Sequence, residues 1–213
     1  MKVKSFPAIG RPRGFDPDVA LERAMHVFWR KGYEAASVAD LTTAMGINPP
    51  SLYAAFGNKQ ALFRKVIERY TSGPAAYVAD ALGAPTAREV AERRLRGAVD
   101  LACDPTRPWG CMAVQAMVAG GGEENEDLRR EMANFCRQSQ RDLEARFERA
   151  KGEGDLPEDA DSDALARFVN ALAQGISVQA SSGAGREELL RMVDAALASW
   201  PAPRKRRVVK KGR

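Results

Sequence analysis

Apolar residues recur at helical spacing from Asp16 to Trp200, and this periodicity limits the chain to one class of fold. No stretch shows the sustained alternation of β-branched residues that is typical of strands, and no internal repeat is visible. We therefore predict an all-α protein of about nine helices. With 213 residues, the chain is long enough to bury a substantial core unaided.

Local signals set the ends of the first two helices. The first is predicted over residues 16–32, because DPD supplies a capping carboxylate and a first-turn proline, and RKG supplies basic residues followed by a stop glycine. The second is predicted over residues 37–45, where SVAD is a variant of the capping box. Gly46 ends the second helix.

A pair of prolines opens the third helix, at the positions where proline disrupts a helix least. The first amides of a helix have no acceptor within it, so Pro49 and Pro50 remove donors that would stay unpaired in any case. Asn48 is extended because a proline follows it, and it can cap the helix. Pro49 is itself followed by proline, so the first helical residue is Pro49 or Pro50.

The third helix has one apolar face and one small, flat face. Three residues fall within one arc and face the core: Leu52, Ala55 and Phe56. Pro50 and Ala54 point outward, with Ser51 and Tyr53 on the flanks. A helix of about seven residues is roughly 10 Å long and fits a DNA major groove about 12 Å wide. Two short helices joined by a glycine turn form a helix-turn-helix.

A fourth helix adds a candidate phosphate site. Asn58 caps the segment NKQALFRKVIERY, and Lys59 lies in its first turn beside backbone amides that have no internal acceptor. Free amides and an ammonium group together suit a phosphate.

The sign of the net charge changes twice along the chain. Residues 1–72 carry 11 basic and 6 acidic side chains, residues 73–202 carry 15 and 22, and residues 203–213 carry 7 and none. A basic N-terminal segment followed by an acidic one is typical of a protein whose first domain binds a polyanion. Random surface charge is the alternative that the counts alone leave open.

The segment from Phe28 through GYEAASVADL and MGINPPSLYAAFGNKQALF resembles the N-terminal domain of TetR/AcrR-type transcriptional regulators. The turn glycine, the Leu-Tyr pair, the phenylalanine and the lysine occur together at the family's spacing. The resemblance implies a homodimeric repressor that binds a palindromic operator in double-stranded DNA. It also implies release of the operator when a small-molecule effector enters the C-terminal domain. We expect no cofactor.

The resemblance assigns roles in DNA contact to individual residues. Ser37 and Tyr53 would bind phosphates, as would Thr42 in the middle of the second helix, and Lys59 would hold the DNA backbone beside the groove. The start of the recognition helix would lie at the base edges and comprises Asn48, Pro49, Pro50 and Ser51.

Two departures from the family pattern affect base recognition. Ala36 stands where many relatives place threonine. The recognition helix has Pro49, Ala54 and Ala55 where relatives often carry polar or basic side chains. Fewer hydrogen bonds to bases are therefore available. We hypothesise that recognition uses thymine methyl groups, DNA shape, and insertion of Arg11 and Arg13 into a narrow minor groove.

Composition divides the chain into four segments. We expect a flexible basic arm over residues 1–15, a helix-turn-helix domain over 16–72, a ligand-binding and dimerisation domain over 73–202, and a basic tail over 203–213. Glycine and proline breaks precede the second domain, where Thr86 and Glu89 form a capping box. We expect the tail to be disordered and solubilising, with non-specific phosphate attraction as the alternative.

The last two helices have apolar faces broader than a single neighbour requires. We expect them to pack against a second copy of the chain as a four-helix bundle. The predicted interface residues are Leu165, Phe168, Leu172, Ile176, Leu189, Val193, Leu197 and Trp200.

A ligand cavity in the second domain is implied by the resemblance. Methionine and aromatic walls with a few amides suit an apolar ligand that has a polar group. The candidate lining residues are Trp109, Met112, Gln115, Met117, Phe135 and Gln174. The alternative is that these residues belong to an ordinary core.

Other functions lack a feature that they would need. Cys103, Cys111 and Cys136 match no metal spacing, so we expect buried, reduced thiols rather than a metal site or an oxidant sensor. The sequence has no glycine-rich phosphate loop and no nucleophile paired with a base, which argues against an enzyme. An RNA reader usually exposes aromatic platforms, whereas the 7% aromatic residues here stand mostly at core-like positions. A helical adaptor is the remaining alternative, although it needs no basic first domain.

The location of the protein follows from what its sequence lacks. No apolar run approaches the roughly 18 residues of a membrane span, and the basic N-terminus is not followed by the apolar core of a secretory signal. We therefore expect no membrane partner and a cytoplasmic protein.

Overall fold

The computed structural model describes the backbone of residues 14–118 and 126–202, and the side chains of these ranges except 116–118. All regular elements within these ranges are helical, which confirms the all-α prediction. The α-helices of the described ranges are α1 (Pro17–Ala35), α2 (Val38–Met45), α3 (Pro49–Phe56), α4 (Lys59–Ser72), α5 (Tyr77–Asp80), α6 (Ala87–Ala102), α7 (Met112–Val118), α8 (Glu126–Gly152), α9 (Ser162–Ser181) and α10 (Arg186–Ala198). A 3₁₀ turn, Ala81–Gly83, follows α5.

Side-chain caps begin the helices where the sequence predicts them. Asp16 accepts a hydrogen bond from the amide of Asp18 at 2.8 Å, and Ser37 and Asp40 form a reciprocal capping box. Asn48 and Asn58 each accept a bond from the amide three residues ahead, at 2.9 and 2.8 Å respectively. These bonds satisfy amides that have no acceptor inside their own helix.

Two glycines with positive φ shape the first three helices. Gly32 has φ 73° and ψ 172°, so α1 is kinked there and its regular part ends at the predicted stop. Gly46 adopts the left-handed conformation with φ 70° and closes α2. The turn at Gly46 orients α3 relative to α2, as a helix-turn-helix requires.

The first hydrophobic core lies among α1 to α4. Its largest side chains meet edge to face: the ring centroids of Phe28 and Phe63 are 5.0 Å apart, and those of Trp29 and Tyr70 are 5.1 Å apart. This core also includes Leu101 of α6, Met112 of α7 and Leu128 of α8. Helices α1 to α4 and the rest of the chain therefore share one apolar cluster.

The second hydrophobic core is built by α6, α8, α9 and α10. Leu95, Leu143, Phe147, Val169 and Ile176 lie in it with at most 1% of their surface exposed. α9 packs against both α6 and α8, and α10 packs against α6. In the part of the chain that the structure describes, no helix is long and apolar enough to cross a membrane.

Candidate DNA-binding surface and ligand cavity

The outer face of α3 is exposed, as its sequence predicts. Leu52 and Phe56 are buried in the first core, whereas Ala54 is exposed and Tyr53 has 51% of its surface exposed. Ser51 is half-buried, and both prolines of the first turn are exposed. The exposed side of α3 is therefore small and flat except for one projecting phenol ring.

The cap of α2 places a hydroxyl and a carboxylate together at the protein surface. Ser37 Oγ donates to Asp40 Oδ2 at 2.8 Å and accepts from the Asp40 amide at 3.0 Å. Lys31 Nζ lies 2.7 Å from Asp40 Oδ1. The hydrogen bonds from Lys31 and Ser37 lower the pKa of Asp40 to about 2, so its carboxylate is charged at neutral pH.

Thr42 is buried, although the resemblance to the family implies that it contacts a DNA phosphate. The residue has 6% of its surface exposed, and its Oγ1 donates to the carbonyl oxygens of Val38 and Ala39 at 2.9 and 3.2 Å. A hydroxyl that is buried and bonded within its own helix has no proton to offer a phosphate. The prediction of a phosphate contact at Thr42 is therefore wrong.

Lys59 lies in the first turn of α4, immediately after α3. Its Nζ donates to the carbonyl oxygen of Glu34 at 3.3 Å and lies 4.5 Å from the ring centroid of Tyr33. Partial burial lowers the pKa of the Lys59 ammonium. The side chain is thus held against the end of α1, close to the N-terminus of α4.

Some of the predicted DNA contacts lie outside the described residues. Arg11 and Arg13 of the N-terminal arm belong to this group. The basic tail over residues 203–213, for which phosphate attraction was the alternative, also lies outside the described residues.

A cavity of about 270 Å³ lies beside the DNA-binding part of the chain. Its wall combines residues from α4 to α9, so it joins helices that are far apart in sequence. The apolar wall includes Tyr70, Tyr77, Val78, Leu82, Val114 and Phe135. The polar wall includes Arg94, Ser139, Asp142, Asn170 and Gln174. Such a mixture suits a mostly apolar ligand with a polar group.

Two of the six predicted cavity residues line this cavity, namely Phe135 and Gln174. Met112 is instead part of the first core, with 1% of its surface exposed. Trp109 is 54% exposed, and Gln115 Nε2 donates to the carbonyl oxygen of Trp109 at 3.2 Å. Contrary to the prediction, Trp109, Met112 and Gln115 do not belong to the lining of this cavity. The side chain of Met117 lies outside the described residues.

Sequence reasoning missed the most polar part of the wall. Arg94 stands in the sequence ERRLRG, which has the appearance of an exposed charged face, yet only 6% of the residue is exposed. Its position one turn after Val90 and next to Leu95 is the signal that could have placed it on the buried side of α6.

The three cysteines are half-buried and form no disulfide. Cys111 and Cys136 both line the cavity, whereas Cys103 packs beside the second core. Burial raises the pKa of Cys103 and of Cys136, which favours the thiol over the reactive thiolate. The residues that the structure describes include no group of three or more side chains suited to hold a metal ion.

The predicted dimer interface needs correction at four positions. Ile176, Leu189, Val193 and Leu197 each have at most 4% of their surface exposed in a single chain. These side chains fill the second core and have no further area to bury against a partner, so their assignment to an interface is wrong. The sequence overestimated the free apolar surface because α10 covers α6.

The other predicted interface residues retain some free surface. Leu165, Leu172 and Trp200 are half-buried beside the second core, and Phe168 is 41% exposed. Exposed or half-buried small and apolar residues share one face of α9 within about 80°. They are Ala164, Phe168, Ala171, Gly175 and Val178.

Family models match both parts of the chain. A model described as bacterial regulatory proteins of the tetR family matches residues 20–66. A second model, described as a tetracyclin repressor-like C-terminal domain, matches residues 91–203.

Relatives and solved structures match over most of the chain. The HTH-type transcriptional repressor ComR of Escherichia coli (strain K12) is 34% identical over 194 residues, which cover 90% of this chain and 92% of ComR. The HTH-type transcriptional repressor BdcR of the same strain is 51% identical over 73 residues, which cover 34% of this chain and 37% of BdcR. A structure of the TetR family transcriptional regulator CifR, a cysteine mutant complexed with 26bp double-strand operator DNA, is 46% identical. It covers 90% of this chain and 100% of its own, with a TM-score of 0.84.

Proposed function

The chain belongs to the TetR family of bacterial regulatory proteins, and we propose that it is a homodimeric repressor that releases a palindromic DNA operator on binding a small molecule. The observation that carries the DNA-binding role is the exposed face of α3. Leu52 and Phe56 anchor the other face of α3 in the first core, so the exposed face can enter a major groove without loss of core contacts.

Phosphate contacts flank the recognition helix in this proposal. Tyr53 on α3 is exposed, and its hydroxyl can donate to a phosphate oxygen. Ser37 at the start of α2 is also exposed, and it would donate to a phosphate by turning its hydroxyl proton away from Asp40 Oδ2. Lys59 Nζ has donors to spare beyond its bond to Glu34, so it can reach a phosphate at the N-terminus of α4. These contacts fix the position of the helix on the duplex, whatever the base sequence.

Base recognition depends on the few groups at the start of α3. Asn48 already caps the helix, which leaves Pro49, Pro50, Ser51 and Ala54 near the base edges. Apolar contact with thymine methyl groups is the readout that the prolines and Ala54 allow, and the Ser51 hydroxyl can add a hydrogen bond to a base edge. Arg11 and Arg13 would add contacts in the adjacent minor groove.

The dimer places two copies of α3 on one duplex. A two-fold axis through the exposed face of α9 would pair Phe168 and its neighbours with the same residues of a second chain. Recognition helices that bind successive half-sites must lie about 34 Å apart, one turn of B-DNA. The operator is then a palindrome.

Release of DNA follows from the position of α4. Tyr70 and Thr71 near the end of this helix line the cavity, while Lys59 lies at its start beside α3. Arg64 of α4 also pairs with Glu131 of α8, with an Nη2 to Oε1 distance of 2.6 Å. A ligand that shifts Tyr70 therefore shifts the helix that supports α3, which couples the two sites.

Selection of bound fragments from the source genome tests the proposal directly. We expect one palindromic sequence to be enriched, and its affinity to fall steeply with salt. Lys59→Met should weaken binding and reduce the salt dependence, whereas Lys65→Met, which removes an exposed lysine further along α4, should do neither. Failure to enrich any sequence would overturn the proposal.

The alternative of a helical adaptor without DNA binding is not favoured. Family models that describe bacterial regulators match both parts of the chain. Capture of a partner protein in the absence of DNA, with no affinity for duplex DNA, is the result that would restore the adaptor.

A further inference from the structure

Arg94 places a buried positive charge in the wall of the cavity. Its guanidinium donates to the carbonyl oxygen of Val78 at 3.0 Å, to Ser139 Oγ at 2.7 Å and to Asn170 Oδ1 at 2.9 Å. All three acceptors are neutral. The buried Nε has no hydrogen-bond partner. The charge of Arg94 is thus solvated by dipoles and not balanced by a carboxylate within ion-pair distance.

Arg146 is a second buried arginine of this chain, and its surroundings provide a comparison for those of Arg94. It is 5% exposed and donates to the carbonyl oxygens of Leu82, Ala84 and Pro85. Its Nη1 also lies 3.9 Å from Glu153 Oε2, so a carboxylate offsets its charge. Arg146 does not line the cavity. The two buried arginines therefore differ in both access to the cavity and charge balance.

Among the described residues of the wall, no carboxylate pairs directly with Arg94, although the negative charge of Asp142 favours the charged guanidinium from a greater distance. Burial raises the pKa of Tyr70, Tyr77 and Cys136, so these groups stay neutral at physiological pH. Asp142 is the acidic residue of the wall. It is exposed and accepts a bond from Gln138 Nε2 at 2.8 Å, and it forms no ion pair with Arg94 within 4 Å.

Burial also makes the charged form of Arg94 less favourable. Desolvation lowers the pKa of its guanidinium below the ordinary value, although an arginine keeps its proton at neutral pH. An anion that enters the cavity would reverse this penalty, since buried charges are stable when paired and hydrogen-bonded.

We infer that the effector of the proposed repressor carries an anionic group, such as a carboxylate, which pairs with Arg94 while an apolar remainder contacts the aromatic wall. This inference rests on the proposed function for the role of the cavity. Ser139 and Asn170, which hold the guanidinium, also line the cavity. With a volume of about 270 Å³, the cavity has room for a small organic acid.

Matched acids and amides test the charge preference without any knowledge of the natural effector. Binding of octanoate, octanamide, benzoate and benzamide to the full chain is measured by calorimetry. We expect at least one acid to bind about tenfold or more tightly than its amide. If no acid is preferred to its amide, the inference is wrong.

Substitutions on α6 assign the preference to a residue. Arg94→Met should abolish the preference for the acid while leaving amide binding within about threefold, and Arg94→Lys should keep part of it. Arg93→Met is the matched control, because Arg93 is the exposed neighbour that pairs with Glu89, and it should change neither. Equal loss of acid and amide binding in a folded Arg94→Met variant would contradict the inference.

A second variant covers the case in which Arg94→Met does not fold. Asp142→Asn removes the acidic group of the cavity wall at an exposed position, so it should tighten acid binding about threefold and leave amide binding unchanged. No change in acid binding would count against a cavity whose charge selects the ligand.

Operator binding separates this inference from the proposed function. A chain that binds its operator but does not prefer acids is a regulator without the charge selection inferred here. A chain that prefers acids through Arg94 but binds no DNA has the anion site and lacks the repressor function.

Discussion

The phenol oxygen of Tyr70 and the thiol sulfur of Cys111 lie 2.9 Å apart and join α4 to the residue preceding α7. The Tyr70 ring packs edge to face against Trp29 in the first core, and both Tyr70 and Cys111 line the cavity. Burial raises the pKa of Tyr70, so its hydroxyl stays protonated and can donate. One contact thus belongs both to the core behind α3 and to the wall of the cavity.

Tyr70→Phe should reduce the free energy of unfolding by about 1 kcal/mol, because it removes a buried hydrogen bond but keeps the ring that packs on Trp29. Urea denaturation measures this change. Tyr53→Phe is the matched control, since its ring is 51% exposed: its stability should be unchanged while its operator affinity falls. Equal stability of the two variants would mean that the Tyr70 hydroxyl contributes nothing.

Ser37→Ala should weaken both the fold and the complex with DNA. The substitution removes the cap of α2, which costs about 1 kcal/mol, and it removes the hydroxyl proposed to bind a phosphate. Thr42→Val should leave operator affinity unchanged, because Thr42 is buried and donates within its own helix. Filter binding or fluorescence anisotropy at fixed salt compares the two. A loss of affinity in Thr42→Val as large as that in Ser37→Ala would contradict this assignment.

Asp40 should make α2 sensitive to acid. Its pKa is lowered from 3.8 to about 2 by the hydrogen bonds from Lys31 and Ser37, so its stabilising effect is present above pH 3.8 and is lost as the pH falls through about 2. Unfolding by urea is measured at several values across this interval. Asp40→Asn should show a shallower decline of stability with falling pH than the wild type, and an identical decline would count against the capping box.

Helix starts were predictable because the responsible contacts are local. Asp16, Ser37, Asn48 and Asn58 each accept a bond from an amide two or three residues ahead, so a window of four residues contains the whole interaction. The stop at Gly32 was equally local, since its positive φ favours glycine. The exposed face of α3 follows from the same short-range geometry.

The cavity was harder to predict because its wall is assembled from distant segments. Met112 has the composition of a ligand contact, yet it packs with α1 to α4 in the first core. Arg94 has the composition of a surface residue, yet Val78, Ser139 and Asn170 bring three separate segments around it. The burial of Val193 likewise depends on how α10 meets α6. The spacing of Arg94 from Val90 predicts its burial, but the partners that each of these residues meets cannot be read from the periodicity of a single helix.

Gly32 and Gly46 should respond differently to asparagine. Gly46 has φ 70° and ψ 33°, a left-handed conformation that asparagine tolerates, so Gly46→Asn should cost less than about 1 kcal/mol. Gly32 has φ 73° and ψ 172°, a region open essentially to glycine alone, so Gly32→Asn should cost about 1 to 3 kcal/mol. Thermal and urea denaturation provide the comparison. A larger loss at Gly46 would show that its approach to Arg23, and not backbone strain, limits substitution.

Phe168→Glu should convert the proposed dimer into a monomer. Phe168 is 41% exposed on the small and apolar face of α9, so the substitution leaves the second core intact but places a charge where two chains would meet. Val19→Glu is the control, because Val19 is 46% exposed on α1, away from this face. Sedimentation equilibrium should find a dimer for the wild type and for Val19→Glu, and a monomer for Phe168→Glu at the same concentration. Operator affinity of Phe168→Glu should fall about tenfold or more, because one chain then holds one half-site without the second. A dimer that survives Phe168→Glu would move the interface to a different face of the chain.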